Sequence, residues 1–209
     1  ETHAYIAARG GGAFMVGLMK HSNLDIHREA SRAIANLLTS FDNHSDIISD
    51  GVPGLVHLAL SVDNECQYHA ALAFRKLSPN LDSHRAIVYN GGLQSLFFLT
   101  QVRDVKIQRQ AVTALRDLAA NAEHKLKYVE EGGIGCLIKL LRDDNIVLRC
   151  LAMASLRHLS LNDLIKREIV ASGVLGPALK CAMSRNDDLQ LQTAGLLANV
   201  CENLENQIN

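Results

Sequence analysis

Residues 81–121 read LDSHRAIVYNGGLQSLFFLTQVRDVKIQRQAVTALRDLAAN, and residues 122–162 read AEHKLKYVEEGGIGCLIKLLRDDNIVLRCLAMASLRHLSLN. Laid one above the other, they agree at the positions that matter for packing. Gly91-Gly92 lies above Gly132-Gly133, Ile107 above Leu148, Ala111 above Ala152 and Leu118 above Leu159. The period continues outward: Leu77, Leu118, Leu159 and Val200 recur every 41 residues, and Leu37 stands 40 before the first of them. Ala30, Ala70, Ala111, Ala152 and Thr193 follow the same steps. Self-similarity at about forty residues is the mark of stacked units, each too small to bury its apolar face alone.

Each unit reads as three helices. In residues 81–121 the pattern predicts a short helix over 83–90, a break at Gly91-Gly92, a second helix over 93–101 and a longer third helix over 105–120. Ile107, Ala111, Ala114, Leu115 and Leu118 fall at helical spacing, and no strand alternation competes with them. Asn23, Asp63, Asp104, Asn145 and Asn186 precede the third helices, where a short side-chain oxygen can accept from free N–H groups. Twelve of the 14 glycines gather at five places near the expected breaks, and Pro53 stands where a second helix should begin, a position proline tolerates. Gly17 and Gly195 fall inside expected helices, where each costs about 1 kcal/mol relative to Ala unless close packing requires it.

These features carry a resemblance. Residues 84–99 with 105–119, and residues 125–160, resemble armadillo repeats: an apolar pair, Gly-Gly, an apolar ladder, a polar cap, then A-x-x-A-L-x-N-L. The resemblance covers essentially the whole chain as one domain with repeats at 1–40, 41–80, 81–121, 122–162 and 163–203, and residues 204–209 opening a sixth. It implies an all-α, right-handed superhelical solenoid with three helices per repeat and the third helices lining a concave face. A HEAT array shares the repeat length but lacks the Gly-Gly break.

Charge excludes one class of partner. With 21 Lys and Arg against 22 Asp and Glu, no global field draws the chain to nucleic acid. The odd set of five cysteines contains no C-x-x-C pair, which argues against a disulfide framework or zinc knuckle and reads as buried thiols in a cytoplasmic protein. Cys66 stands in register with Ile107, Leu148 and Leu189, as a small core hydrophobe would. No apolar run is long enough to insert into a bilayer.

No catalytic constellation emerges, so neither enzyme activity nor a cofactor is expected. Gly10-Gly11-Gly12 leads into Ala13-Phe14 without the Lys-Ser/Thr of a phosphate loop, and no G-x-S-x-G or H-E-x-x-H occurs. His44, His84 and His124 recur at 40 residues, which puts them on successive layers, too far apart for one metal ion, and suggests hydrated starts of first helices.

A solenoid presents its binding surface along one helix row. By resemblance, the binding positions are the repeat asparagine, here Asn36, Lys76, Asp117, His158 and Asn199, and the position four before it, here Arg32, Leu72, Thr113, Ala154 and Gly195. Import receptors of the importin-alpha type carry tryptophan at the earlier position. This chain has none, which sets aside that mode of binding basic peptides. The position just before the asparagine holds Arg75, Arg116 and Arg157, and Arg109 with its register-mate Tyr68 widens the row. Arginine forks suit carboxylate and phosphate oxygens, and cations at such places in the beta-catenin type meet acidic extended ligands. The same arginines could instead bridge to the neighbouring layer. At the far end, Leu191, Leu196, Val200 and Cys201 are expected to leave an apolar edge.

The regular units most resemble compact armadillo-only adaptors of the apicomplexan and fungal vacuolar kinds. That likeness implies a scaffold for protein partners, a myosin motor or another adaptor among them, on the cytosolic face of an organelle membrane. A start at Glu1 suggests a fragment or processed form, and the resemblance to these adaptors, not the sequence itself, implies an acylated segment upstream. The alternative functions are a nuclear transport receptor-like peptide binder or a regulatory domain of a larger signalling protein.

Overall fold

The computed structural model describes residues 5, 9–39 and 44–202, and among them only helices and turns occur. The chain divides into two compact units, 1–114 and 115–209. Unit 1 holds α1 (Gly11–Leu18), α2 (Leu24–Leu37), α3 (His44–Ala59), α4 (Asn64–Leu77), α5 (Leu81–Tyr89) and α6 (Gly92–Leu99). Helix α7 (Val105–Ala120) begins in unit 1 and ends in unit 2. Unit 2 continues with α8 (Lys125–Glu130), α9 (Gly133–Leu140), α10 (Ile146–Leu159), α11 (Asp163–Ala171), α12 (Leu175–Ala182) and α13 (Asp187–Cys201).

Third helices stack on third helices within each unit: α2 packs on α4 in the first and α10 on α13 in the second. The apolar ladder supplies both cores. Ile34, Leu55, Phe74 and Leu77 are fully buried in unit 1, as are Leu137, Leu148, Leu156 and Leu189 in unit 2. Each such side chain contributes about 1.5–3 kcal/mol by leaving water.

All five expected caps form. Asn23 accepts from the N–H groups of Asp25 and Ile26, Asp63 from Cys66, Asn145 from Val147 and Leu148, and Asn186 from Leu189. Asp104 accepts from Lys106 at 2.7 Å. A second ladder, Asn80, Asn121 and Asn162, caps the first helices in the same way, a role the sequence reading missed.

Gly91 and Gly132 take left-handed φ of 82° and 91°, so the chain can turn sharply into the second helix. The second unit of the repeat departs from expectation. Residues His44–Ala59 form one uninterrupted helix with Pro53 inside it, not at its start. Full burial of Val52, Leu55, Leu58 and Ala59 offsets the helical hydrogen bond that proline forgoes. Gly51 and Gly54 serve close packing there: a Cβ on either would come within 2.7 Å of Ile47 or Met19.

The histidine expectation is corrected. His84 and His124 are buried, and His84 Nε2 lies 2.6 Å from the Ser78 carbonyl; the His44 side chain lies outside the described residues. The first-helix caps give the reason: four residues after Asn80, Asn121 and Asn162 come His84, Lys125 and Lys166, all buried, so His84 and His124 occupy different repeat positions. Cysteine burial is also uneven. Cys66 and Cys181 are buried, Cys136 and Cys150 half-buried and Cys201 exposed. Burial first, then the Asp63 hydrogen bond, pushes the Cys66 thiol up to about 12, which keeps it an inert core group. Of the expected apolar edge, Leu191 is exposed while Leu196 and Val200 are buried.

Candidate functional site

In unit 1 the row comprises Arg32 and Asn36 on α2, Tyr68, Arg75 and Lys76 on α4, and Arg109 and Thr113 on α7. Arg32 is exposed and ion-paired with Glu29 one turn earlier. Asn36 is exposed, and Tyr68 is half-buried with its ring edge-on to His69, 5.3 Å between centroids. Lys76 folds back across the layer: its Nζ donates to the Ala35 carbonyl at 2.5 Å and to Thr39 Oγ1 at 2.7 Å. Burial, with the charge of Arg75, lowers its pKa. Thr113 Oγ1 donates to the Arg109 carbonyl at 2.7 Å, so its hydroxyl is satisfied within its own helix. Arg75 and Arg109 are exposed, and neither forms an ion pair among the described residues.

In unit 2 the row is Arg116, Asp117, Arg157, His158 and Asn199. Arg116 donates through Nε at 3.1 Å and Nη2 at 2.7 Å to Asp117 Oδ1. Arg157 lies over Gly195, in the space a Cβ would occupy, and its Nη1 donates to Gln192 Oε1 at 3.1 Å. Close packing therefore explains the glycine in α13, whereas at Gly17 no neighbour occupies the Cβ position. Asn199 Nδ2 reaches Ser160 Oγ at 2.9 Å and the Arg157 carbonyl at 3.4 Å.

Lys76 and Asn199 thus use the same device in different units. Each donates to the carbonyl just before the repeat-asparagine position of the preceding third helix, satisfying a helix-end acceptor across the layer. A residue type that reads as a ligand clamp works here as a stitch between layers. A second stitch, also missed in the sequence, joins Arg28 to the cap residue Asp63 at 2.7 Å. The Arg28 guanidinium holds the Asp63 carboxyl well below its ordinary range.

His158 sits half-buried in unit 2, and its pKa is lowered by burial, then by Lys125, Arg157 and Arg116. His27 is lowered by burial, His57 and His21. His69 is lowered by burial even though Glu65 Oε1 lies 4.0 Å away, so desolvation outweighs that exposed carboxylate. All three bind protons less readily folded than unfolded, where the ordinary value is 6.5. The unfolded chain therefore takes up more protons below pH 6.5, and stability falls as pH drops through that window. Asp63 adds to the same trend at lower pH: its carboxyl is held below the ordinary value, so its stabilisation is present above 3.8 and is lost in stronger acid. Thermal melts should give a constant Tm between pH 7 and 8, a decline from 6.5 to 5 and a second decline below about 4. A Tm unchanged between pH 7.5 and 5 would contradict the histidine assignments.

Neither a protein-family model nor a curated protein matches the sequence. Solved structures do match its fold. An engineered protein of the Northeast Structural Genomics Consortium superposes with a TM-score of 0.87 at 27% identity, over 96% of this chain and 83% of its own. Computationally designed armadillo repeat proteins for modular peptide recognition give 0.88 at 23% identity, over 94% and 85%. A designed armadillo repeat protein in complex with the peptide (KR)4 gives 0.86 at 22%, over 95% and 85%. The fold is the armadillo type of α–α solenoid. No helix among the described residues is long and apolar enough to cross a membrane.

Proposed function

We propose that this chain is a non-enzymatic protein-interaction scaffold whose third-helix surface takes an extended, partly acidic segment of a partner protein. The observation that carries the reading is the division among the arginines. Arg32, Arg116 and Arg157 are engaged by Glu29, Asp117 and Gln192, whereas Arg75 and Arg109 stand exposed on α4 and α7 of unit 1 with no ion pair among the described residues. Free guanidinium forks on a stiff helical platform can meet carboxylates without first giving up an internal partner. The designed neighbours named for peptide recognition support the mode of binding, and the (KR)4 ligand of one of them has the charge opposite to that expected here.

Within unit 1, Asn36, Tyr68 and Thr113 shape the surface beside these cations, and His158 and Asn199 belong to the row of unit 2. The larger setting is an adaptor on the cytosolic face of an organelle, joining its membrane through an acylated upstream segment to a myosin motor or another effector. Residues 1–209 act in it as one armadillo-repeat domain. That setting rests on the resemblance of the repeat units to compact armadillo-only adaptors, and proximity labelling of the full protein in cells tests it.

The surface itself is tested by fluorescence anisotropy with labelled (Asp-Glu)4 and (Lys-Arg)4 peptides. The acidic peptide should bind the more tightly, and Arg75→Glu with Arg109→Glu should weaken it about 30-fold, since two charge-assisted contacts become repulsive. Folding should be unaffected, because both heads lie in water. Equal affinity of the folded double variant, or preference for the basic peptide, would overturn the acidic-segment reading.

A further inference from the structure

A cleft of about 600 Å3 lies wholly within unit 2, away from the third-helix row just described. Its walls come from three places: the turn after α9, the first turns of α10 and the side of α12. Three cations line it, one from each place: Arg142, Arg149 and Lys180. None of them forms an ion pair among the described residues. Arg149 is the most telling. It is half-buried, and its Nε is wholly covered yet has no hydrogen-bond partner among the described residues. Because Nε is covered, a molecule in the cleft meets the terminal nitrogens of Arg149, and Nε–H reports on the guanidinium without being touched itself.

Two carboxylates share the cleft, and neither forms an ion pair with its cations among the described residues. Asp143 Oδ1 accepts the backbone N–H of Asn145 at 2.8 Å and so holds the turn that starts α10. Asp144 is exposed at the rim. The thiol of Cys181 faces the Leu141 carbonyl at 3.9 Å and supplies no acceptor to Arg149.

We propose that this cleft binds a phosphate monoester, with Arg149 as its central donor and Arg142 and Lys180 at its edge. Donors placed on three separate elements suit a tetrahedral group with three terminal oxygens better than a planar carboxylate, which a single fork can saturate. A dianion also gains more than a monoanion from three cations that have no internal partner. The cleft is several times larger than one phosphate, so it has room for the group that carries it. That carrier is either a soluble phosphorylated molecule or a phosphorylated lipid headgroup, and the shared phosphate chemistry is what the residues specify.

The test observes the arginine Nε–H resonances of the full chain by heteronuclear NMR during titration with O-phospho-L-serine, inorganic phosphate and acetate, with sodium chloride at matched ionic strength as the reference. The Arg149 Nε–H signal should shift saturably with both phosphates and stay in place with acetate and chloride. Arg149→Gln, followed through the backbone signals of Arg142 and Lys180, should weaken the phosphates about tenfold, the loss of one charge-assisted contact. Arg149→Lys should recover part of it, and Arg103→Gln, in unit 1, should change nothing. Sedimentation with phosphatidylcholine vesicles, with and without phosphatidylinositol phosphate, then separates the sources. Pelleting that Arg149→Gln abolishes assigns the phosphate to a lipid, and saturable phosphoserine binding without pelleting assigns it to a soluble carrier. Absence of a saturable phosphate shift, an equal shift with acetate, or undiminished binding by a folded Arg149→Gln variant overturns the proposal. None of these results bears on Arg75 or Arg109, so this site and the acidic-segment surface stand or fall separately.

Discussion

Leu118→Asp will abolish the cooperative unfolding transition of unit 2 at room temperature, or lower its stability by more than about 4 kcal/mol. Leu118 is 1% exposed and occupies the ladder position shared with Leu77, Leu159 and Val200, all of them buried. A carboxylate there enters a ladder of buried apolar side chains. Ionised, it carries an unpaired charge into the core; protonated, it still buries a polar group where an isobutyl chain had packed. The cavity left by the smaller side chain adds to the cost, and Leu118→Ala isolates that share at about 2–5 kcal/mol. Far-UV circular dichroism during urea unfolding checks both variants. A Leu118→Asp protein with the melting behaviour of Leu118→Ala would mean that the site is hydrated, and the 41-residue register would lose its physical meaning as a core ladder.

That register was the most legible part of the sequence because two independent needs impose it. Apolar residues must recur wherever a layer meets the next, and an acceptor must stand before each third helix. Both rules depend on local spacing, and Asn23, Asp63, Asp104, Asn145 and Asn186 form the caps they imply. His84 and His124 show where spacing misleads. Their separation of 40 looks like the repeat, but the true mates of His84 are Lys125 and Lys166, identifiable only once Asn80, Asn121 and Asn162 are recognised as caps. Pro53 illustrates a different limit. Local propensity makes it a helix start, whereas burial of the apolar residues around it carries the helix through.

The binding row was legible as positions but not as states. Sequence places Arg75, Arg116 and Arg157 at equal steps, yet their availability is settled by neighbours that no periodicity announces. Asp117 takes Arg116, Gly195 makes room for Arg157 to reach Gln192, and Arg75 is left exposed. The pairing at Arg116 also bears on how the surface is tested. Reversing Arg116 would set a new carboxylate beside Asp117 and mix folding with binding, whereas Arg75 and Arg109 can be reversed without such a cost. Lys76 and Asn199 are a further case, since their polar ends are spent on carbonyls of the preceding helix.

Gly133→Ala will cost about 3 kcal/mol, more than any neighbouring glycine substitution, because the two glycines of each Gly-Gly break do different work. Gly132 holds φ at 91° with open space around its Cβ direction. An alanine there pays for the left-handed conformation alone, about 1–2 kcal/mol. Gly133 has an ordinary helical backbone, but a Cβ on it would overlap the ring of Tyr128 and come within 2.7 Å of the Tyr128 carbonyl. Tyr128 is fully buried, so its ring cannot swing into water to make room. Gly92 meets Ile87 in the same way, with a Cβ 2.6 Å from Ile87 Cγ2, which makes close approach the repeated reason for the second glycine. Gly135, exposed on α9 with nothing near its Cβ direction, supplies the control: alanine there should stabilise by roughly 0.5–1 kcal/mol through helix propensity. Urea titrations of the three single variants should therefore order them Gly135→Ala, Gly132→Ala, Gly133→Ala from most to least stable. If Gly132→Ala proved the least stable, the turn rather than the contact with Tyr128 would be what sets the angle between the first two helices of the repeat.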